Sequence, residues 1–230
     1  MKKQAFVLVT LVLALFAARV DTAGATSECR GFTACVPLAG PWVVVPTSSE
    51  TVRPQVQFQL TCPNGFIVGG VDAELSDRAI DVWFFGAIGS PVAPGRTTSR
   101  TVVFVATYVG NGANAPTFRP HAGCIPGSGG GSRTPTAVRT IFPVGKPTIR
   151  RAHTGRVRAP RSFVATCRPD ERLVAAYSAR AFVTKKPPTA ALVDSLRANV
   201  RFNARRVSAT ASGGAGLGVV QVAAVCAGGK

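Results

Sequence analysis

Val56-Gln57-Phe58-Gln59-Leu60-Thr61-Cys62 and Phe163-Val164-Ala165-Thr166-Cys167 each read as a strand running into a cysteine. Each is answered by a second cysteine at the end of a small-residue segment, His121-Ala122-Gly123-Cys124 in one case and Ala223-Ala224-Val225-Cys226 in the other. Cys62 to Cys124 spans 62 positions and Cys167 to Cys226 spans 59. Two frames of nearly equal length, opened and closed alike, predict an internally repeated chain.

The N-terminus sets the redox environment in which the cysteines are read. Lys2 and Lys3 precede an apolar run from Ala5 to Ala18, and Ala23-Gly24-Ala25 supplies a small-residue cleavage pattern. Residues 1–25 are therefore expected to be a secretory signal, too short for a comfortable membrane span. The expected location is extracellular, free or held to the cell envelope by non-covalent contacts. All six cysteines (Cys29, Cys35, Cys62, Cys124, Cys167 and Cys226) follow that segment, and in an oxidising compartment they predict three disulfides. The repeat favours Cys62–Cys124 and Cys167–Cys226, leaving Cys29–Cys35 as a small local loop. Zinc is disfavoured, because there is no C-x-x-C and the only histidines are His121 and His153.

Short β-branched and aromatic runs separated by Pro, Gly and Asn punctuation fill both halves, at 43–45, 56–60, 66–71, 79–88 and 102–109, then 163–166, 173–183, 198–204 and 218–225. A further short strand is expected at 138–144. Helical periodicity is credible only around 189–196. The predicted class is all-β: two β-sandwich-like modules, each closed by a disulfide, joined by a Gly/Ser linker. The linker is placed at 127–135, where Gly127-Ser128-Gly129-Gly130-Gly131-Ser132 has a flexible composition. That makes 26–126 the first module and 136–230 the second.

Cys62-Pro63-Asn64-Gly65-Phe66-Ile67-Val68-Gly69-Gly70, with its closing cysteine some 60 residues on, resembles a module of secreted actinobacterial proteins of unassigned function. In that pattern a cysteine-proline-x-glycine turn leads into a strand with paired glycines, and a last strand returns the partner cysteine. The resemblance implies a β-rich extracellular module and carries no catalytic residues. The second frame departs from it: Cys167-Arg168-Pro169-Asp170-Glu171 keeps only a displaced proline, and Ala175-Ala176 stand near the place of the glycines.

Charge is unevenly divided. Residues 26–128 hold 6 basic and 6 acidic side chains, whereas residues 129–230 hold 18 basic and 3 acidic ones. Such asymmetry points to a polyanionic partner. Arg139, Lys146, Arg150, Arg151, Arg156, Arg158, Arg161, Arg201, Arg205 and Arg206 are the candidate contacts, since a guanidinium chelates paired phosphate or carboxylate oxygens. Outside a cell the partners to expect are an anionic surface polymer, lipid headgroups or extracellular DNA bound without sequence preference. The basic stretch 133–161 holds only Phe142 as an aromatic, so stacking on single strands is not expected.

Catalysis has no comparable signal, and neither an enzymatic role nor a cofactor is expected. No G-x-S-x-G elbow is present, and Gly213-Gly214-Ala215-Gly216-Leu217-Gly218 lacks dinucleotide-loop spacing. His121 is expected to pack beside its neighbouring disulfide. Asp72, Glu74, Asp77 and Asp81 form the one tight acidic group, with Asp72, Glu74 and Asp77 a weak calcium candidate. Trp42, Trp83, Phe84 and Phe85 are expected in the core or between modules rather than as a sugar platform, a weighting that an exposed Trp83 would change. The expected function is a secreted, non-enzymatic binding or envelope-associated protein acting through its basic half. A structural or protein–protein module is the alternative and an undetected hydrolase the third.

Overall fold

The computed structural model describes residues 26–47, 54–86, 100–111, 115–127 and 148–228. The expected signal (1–25), most of the linker, the strand expected at 138–144, Arg139 and Lys146 lie outside these residues. Thirteen strands are described: β1 (Val36–Ala39), β2 (Trp42–Val44), β3 (Val56–Thr61), β4 (Phe66–Leu75), β5 (Ile80–Gly86), β6 (Thr101–Tyr108), β7 (Thr117–Pro126), β8 (Ile149–Arg156), β9 (Arg161–Thr166), β10 (Glu171–Phe182), β11 (Arg197–Phe202), β12 (Arg206–Ser212) and β13 (Gly218–Gly228). One helix, α1 (Ala190–Ser195), is capped by the Thr189 hydroxyl, which accepts from the Leu192 N–H. The fold is all-β, as the punctuated strand pattern requires.

All three disulfides form as the repeat argument pairs them: Cys29–Cys35, Cys62–Cys124 and Cys167–Cys226. Within each frame the strands connect identically. β3 pairs with β6 and β6 with β5, while β4 pairs with β7. Likewise β9 pairs with β12 and β12 with β11, while β10 pairs with β13. Even the irregularities coincide. Val68, six positions after Cys62, lies opposite Cys124, and the register then slips so that Gly70 meets Gly123. Leu173, six positions after Cys167, lies opposite Cys226, and Ala175 then meets Val225. The β-bulge residues are therefore Gly69 and Val174, so the register aligns Val174-Ala175, one position earlier than the sequence suggests, with Gly69-Gly70.

The displaced proline has a matching explanation. Phe66 N–H donates to the Pro63 carbonyl and Glu171 N–H to the Arg168 carbonyl, one turn at the same offset in each frame. In the first, Gly65 adopts φ +83°, the signature of a type II turn. In the second, Pro169 presets the first corner and Asp170 keeps a negative φ, which suits a type I turn and needs no glycine.

Each frame has its own core. Phe58, Phe104 and Phe118 anchor one, and Phe163, Phe182 and Leu196 anchor the other. The frames nevertheless share a sheet. A seven-stranded sheet runs through both because β2 pairs with β7 on one side (Val43 opposite Phe118) and with β10 on the other (Val43 opposite Ala181). Ala179, Ala181 and Val219 also enter the first core, and Val44 enters the second. β3 is stitched across as well. The Gln221 side chain accepts from the Gln59 N–H at 2.7 Å and donates to the Gln59 carbonyl at 3.0 Å, standing in for a neighbouring strand.

A candidate anion-binding face

The remaining three-stranded sheet, β9–β12–β11, turns one face to the second core. Phe163, Ala165, Val207, Ala209 and Ala211 are buried there. Strand alternation then sends the intervening residues outward. On β11 these are Arg197, Asn199 and Arg201, and opposite them on β12 stand Ser212, Thr210 and Ser208. Arg206 follows on β12, and Ser162, Val164 and Thr166 continue the face on β9. The Asn203 side chain builds the β11–β12 turn by accepting from the Arg205 and Arg206 N–H groups at 3.1 and 3.0 Å. That turn carries Arg201, Arg205, Arg206 and Phe202, whose ring is 74% exposed.

Arg197, Asn199, Arg201, Arg206, Ser208, Thr210 and Ser212 line a polar trough of ≈ 560 Å³. No carboxylate lies on this sheet, and among the described residues no ion pair engages its arginines. Guanidinium groups flanked by hydroxyls, with no internal counter-charge, are suited to hold phosphate, sulfate or carboxylate oxygens. The first frame differs at the equivalent positions: Asp81, Trp83 and Phe85 of β5 face Thr107, Val105 and Val103 of β6. There Val103 and Val105 are buried, Phe85 is partly covered and Trp83 is 41% exposed, with no arginine on the face.

The arginines singled out by sequence separate into three groups. Arg201, Arg205 and Arg206 are exposed on or beside this face, although Arg205 also donates to the Pro169 carbonyl at 3.2 Å. Arg156, Arg158 and Arg161 are exposed together where β8 turns into β9. Arg161 also lies over the Phe163 ring, 4.9 Å from its centroid. Arg150 and Arg151 serve the fold instead. Arg150 is buried, donates to Gln57 and stacks on Tyr177, and burial pushes its pKa down to about 10. Arg151 holds Glu171 in a two-pronged ion pair with a shortest distance of 2.7 Å. Arg197, which heads the basic cluster 197–206 in the sequence, is exposed on β11, whereas the hydroxyl rows of β12 were missed as site residues. Their signal was strand alternation around Val207, Ala209 and Ala211.

The acidic group does not converge on one point. Asp72 accepts from the Ser27 N–H and hydroxyl, and Asp77 caps its own loop by accepting from Ala79 N–H and the Tyr108 hydroxyl. Glu74 lies 3.0 Å from His121 Nε2, and Glu28 lies 3.7 Å from Nδ1 on the other side of the ring. His121 is thus bracketed by two carboxylates under the N-terminal segment. Glu28 reaches it because Gly70 and Gly123 lie bare beneath: a Cβ at either would collide with the Glu28 carbonyl. The paired-glycine signature therefore seats the Cys29–Cys35 loop. Cys167, Cys226 and Glu171 approach one another, but both sulfurs are consumed by the disulfide.

No protein-family model, curated protein or solved structure matches this chain. Its function is therefore argued from its own surface.

Proposed function

We propose that the chain is a secreted, non-enzymatic binding protein that contacts a polyanionic surface through its basic C-terminal half. The observation that carries this reading is the outward face of β9–β12–β11: Arg197, Arg201 and Arg206 among Ser and Thr hydroxyls, without an acidic side chain on the sheet. The arginines and hydroxyls run along the whole length of β11 and β12, which favours an extended polymer over a small ligand. Recognition through charge density makes affinity depend on salt, because bound counterions are released on association. Binding of inorganic polyphosphate and duplex DNA to the wild type and to a charge-reversed face, measured over a range of salt, tests the reading.

A protein–protein role for the first half is the second reading, and the exposed Trp83 and Phe84 on β5 favour it. A hydrolase would draw on Asp72 or Glu74 opposite His121. His121 is buried against Glu28, Glu74 is only partly covered, and none of the three lines the troughs and clefts described here.

A further inference from the structure

β8 and β3 face each other across the junction of the two frames, and their side chains close it step by step. Arg150 of β8 bonds Gln57 of β3. Thr154 of β8 accepts from Gln221, which holds the backbone of Gln59. One step further along, Thr61 of β3 and Arg156 of β8 make no such link, and a cleft of ≈ 360 Å³ opens between them. Phe58, Leu60 and Val219 give it an apolar floor, and Leu38, Pro41 and Val183 add apolar walls. Arg156 stands on its rim and also borders the neighbouring hollow formed with Arg158 and Arg161.

An apolar cleft with Arg156 on its rim, shared with a second hollow that holds Arg158 and Arg161, matches a molecule with one apolar tail and one anionic head. We propose that this junctional cleft binds a free single-chain anionic amphiphile, with the tail on Phe58, Leu60 and Val219 and the carboxylate on Arg156 and its neighbours. Charge selects the head group, because a guanidinium at the rim chelates two oxygens while keeping its own solvation. Size selects the tail: the volume lies at the lower end for small-molecule sites, room for one chain and not for a two-tailed lipid. The site is separate from the β9–β12–β11 face, so either can fail without the other.

Calorimetric titration of the oxidised full chain with dodecanoate, below its self-association concentration, tests this. The expected result is saturable one-to-one binding, with dodecanol binding at least about tenfold more weakly because it lacks the charged head. Arg156→Glu should weaken dodecanoate by a similar factor, roughly tenfold or more. Thr61→Trp, which fills the cleft from its exposed rim, should abolish binding and leave inorganic polyphosphate affinity unchanged. Ala39→Trp on the opposite rim should do the same and serves if the first variant folds poorly. Absence of saturable binding, equal affinity for dodecanol, full-strength binding in both Trp variants, or binding only to anionic vesicles would each overturn the proposal.

Discussion

Gln221 holds Gln59, 162 positions away, through both of the latter's backbone groups, with its amide oxygen 2.7 Å from the N–H and its amide nitrogen 3.0 Å from the carbonyl. A side-chain amide thereby closes the edge of β3 and ties the first frame to the shared sheet. Gln221 is almost fully buried, so its replacement removes the partner of both Gln59 backbone groups and leaves an unfilled site, while the exposed Thr154 turns to water. Gln221→Ala should cost about 2–4 kcal/mol, the sum of lost hydrogen bonds and an unfilled site. Denaturant unfolding measures it, and a cost near zero would remove the stitch from the account.

The same continuity bears on domain organisation. The Gly/Ser segment at 127–135 is the expected nicking site, with Arg133 the first tryptic target. β2 pairs with strands of both frames, so the two fragments should stay together on native gel filtration and separate only in denaturant. Fragments that separate under native conditions would show that the shared sheet does not outlast the linker.

The disulfides should contribute unequally. In the chain-entropy account, closing the long Cys62–Cys124 or Cys167–Cys226 loop stabilises by about 4 kcal/mol, and the short Cys29–Cys35 loop by about 2 kcal/mol. Paired Cys→Ala variants compared by thermal unfolding should reproduce that order. Non-reducing peptide mapping should return the three pairs within their own frames. A bridge from Cys29 or Cys35 into the second frame would break the repeat.

Acid should loosen the second frame where Arg151 holds Glu171. The Arg151 guanidinium, bonded to Glu171, holds that carboxyl below its ordinary value of 4.5, helped by the Arg168 N–H. A depressed carboxylate stabilises the fold fully above its unfolded titration, and the contribution disappears as pH falls through the folded value. Stability should therefore decline below about pH 4, and Glu171→Gln should lower it at neutral pH while flattening that decline. An unchanged acid profile in the variant would contradict the assignment.

Much of the fold was readable because β-branched alternation and turn residues coincide. The strands ending at Cys62 and Cys167, the long strands after them and the helix after Thr189 follow from local chemistry, and the disulfide pairing follows from the matched spacing of the two frames. Composition alone does not mark β7, because Pro120 lies inside it, Pro116 precedes it and Pro126 ends it; only the resemblance implies a strand there. Pro120 has no N–H to donate, yet its carbonyl accepts from Gly40 where β1 gives way to β2. β8 was read as part of a basic stretch, since Ile149-Arg150-Arg151-Ala152-His153-Thr154-Gly155-Arg156 has little apolar alternation. It is an edge strand bonded to β13, and its arginines divide between structure and surface. Charge counting could not separate Arg150, buried against Tyr177, from Arg206, because that depends on which strands lie above each residue. The shared sheet was equally invisible, since β2 is three residues long and its partners are remote in sequence.

On the proposed reading, the arginines of one sheet face form the polyanion contact. The most direct measurement is the salt dependence of duplex-DNA binding by the wild type and by Arg197→Glu/Arg201→Glu/Arg206→Glu, whose side chains are exposed and unpaired among the described residues. The wild type should show a steep log–log slope. The variant should lose roughly 3 units of that slope, about one per guanidinium, while unfolding normally. Reversal of Arg150 is unsuited to the purpose, since it would bury an unpaired charge. Wild-type affinity in the triple variant, or tight binding indifferent to salt, would contradict the account.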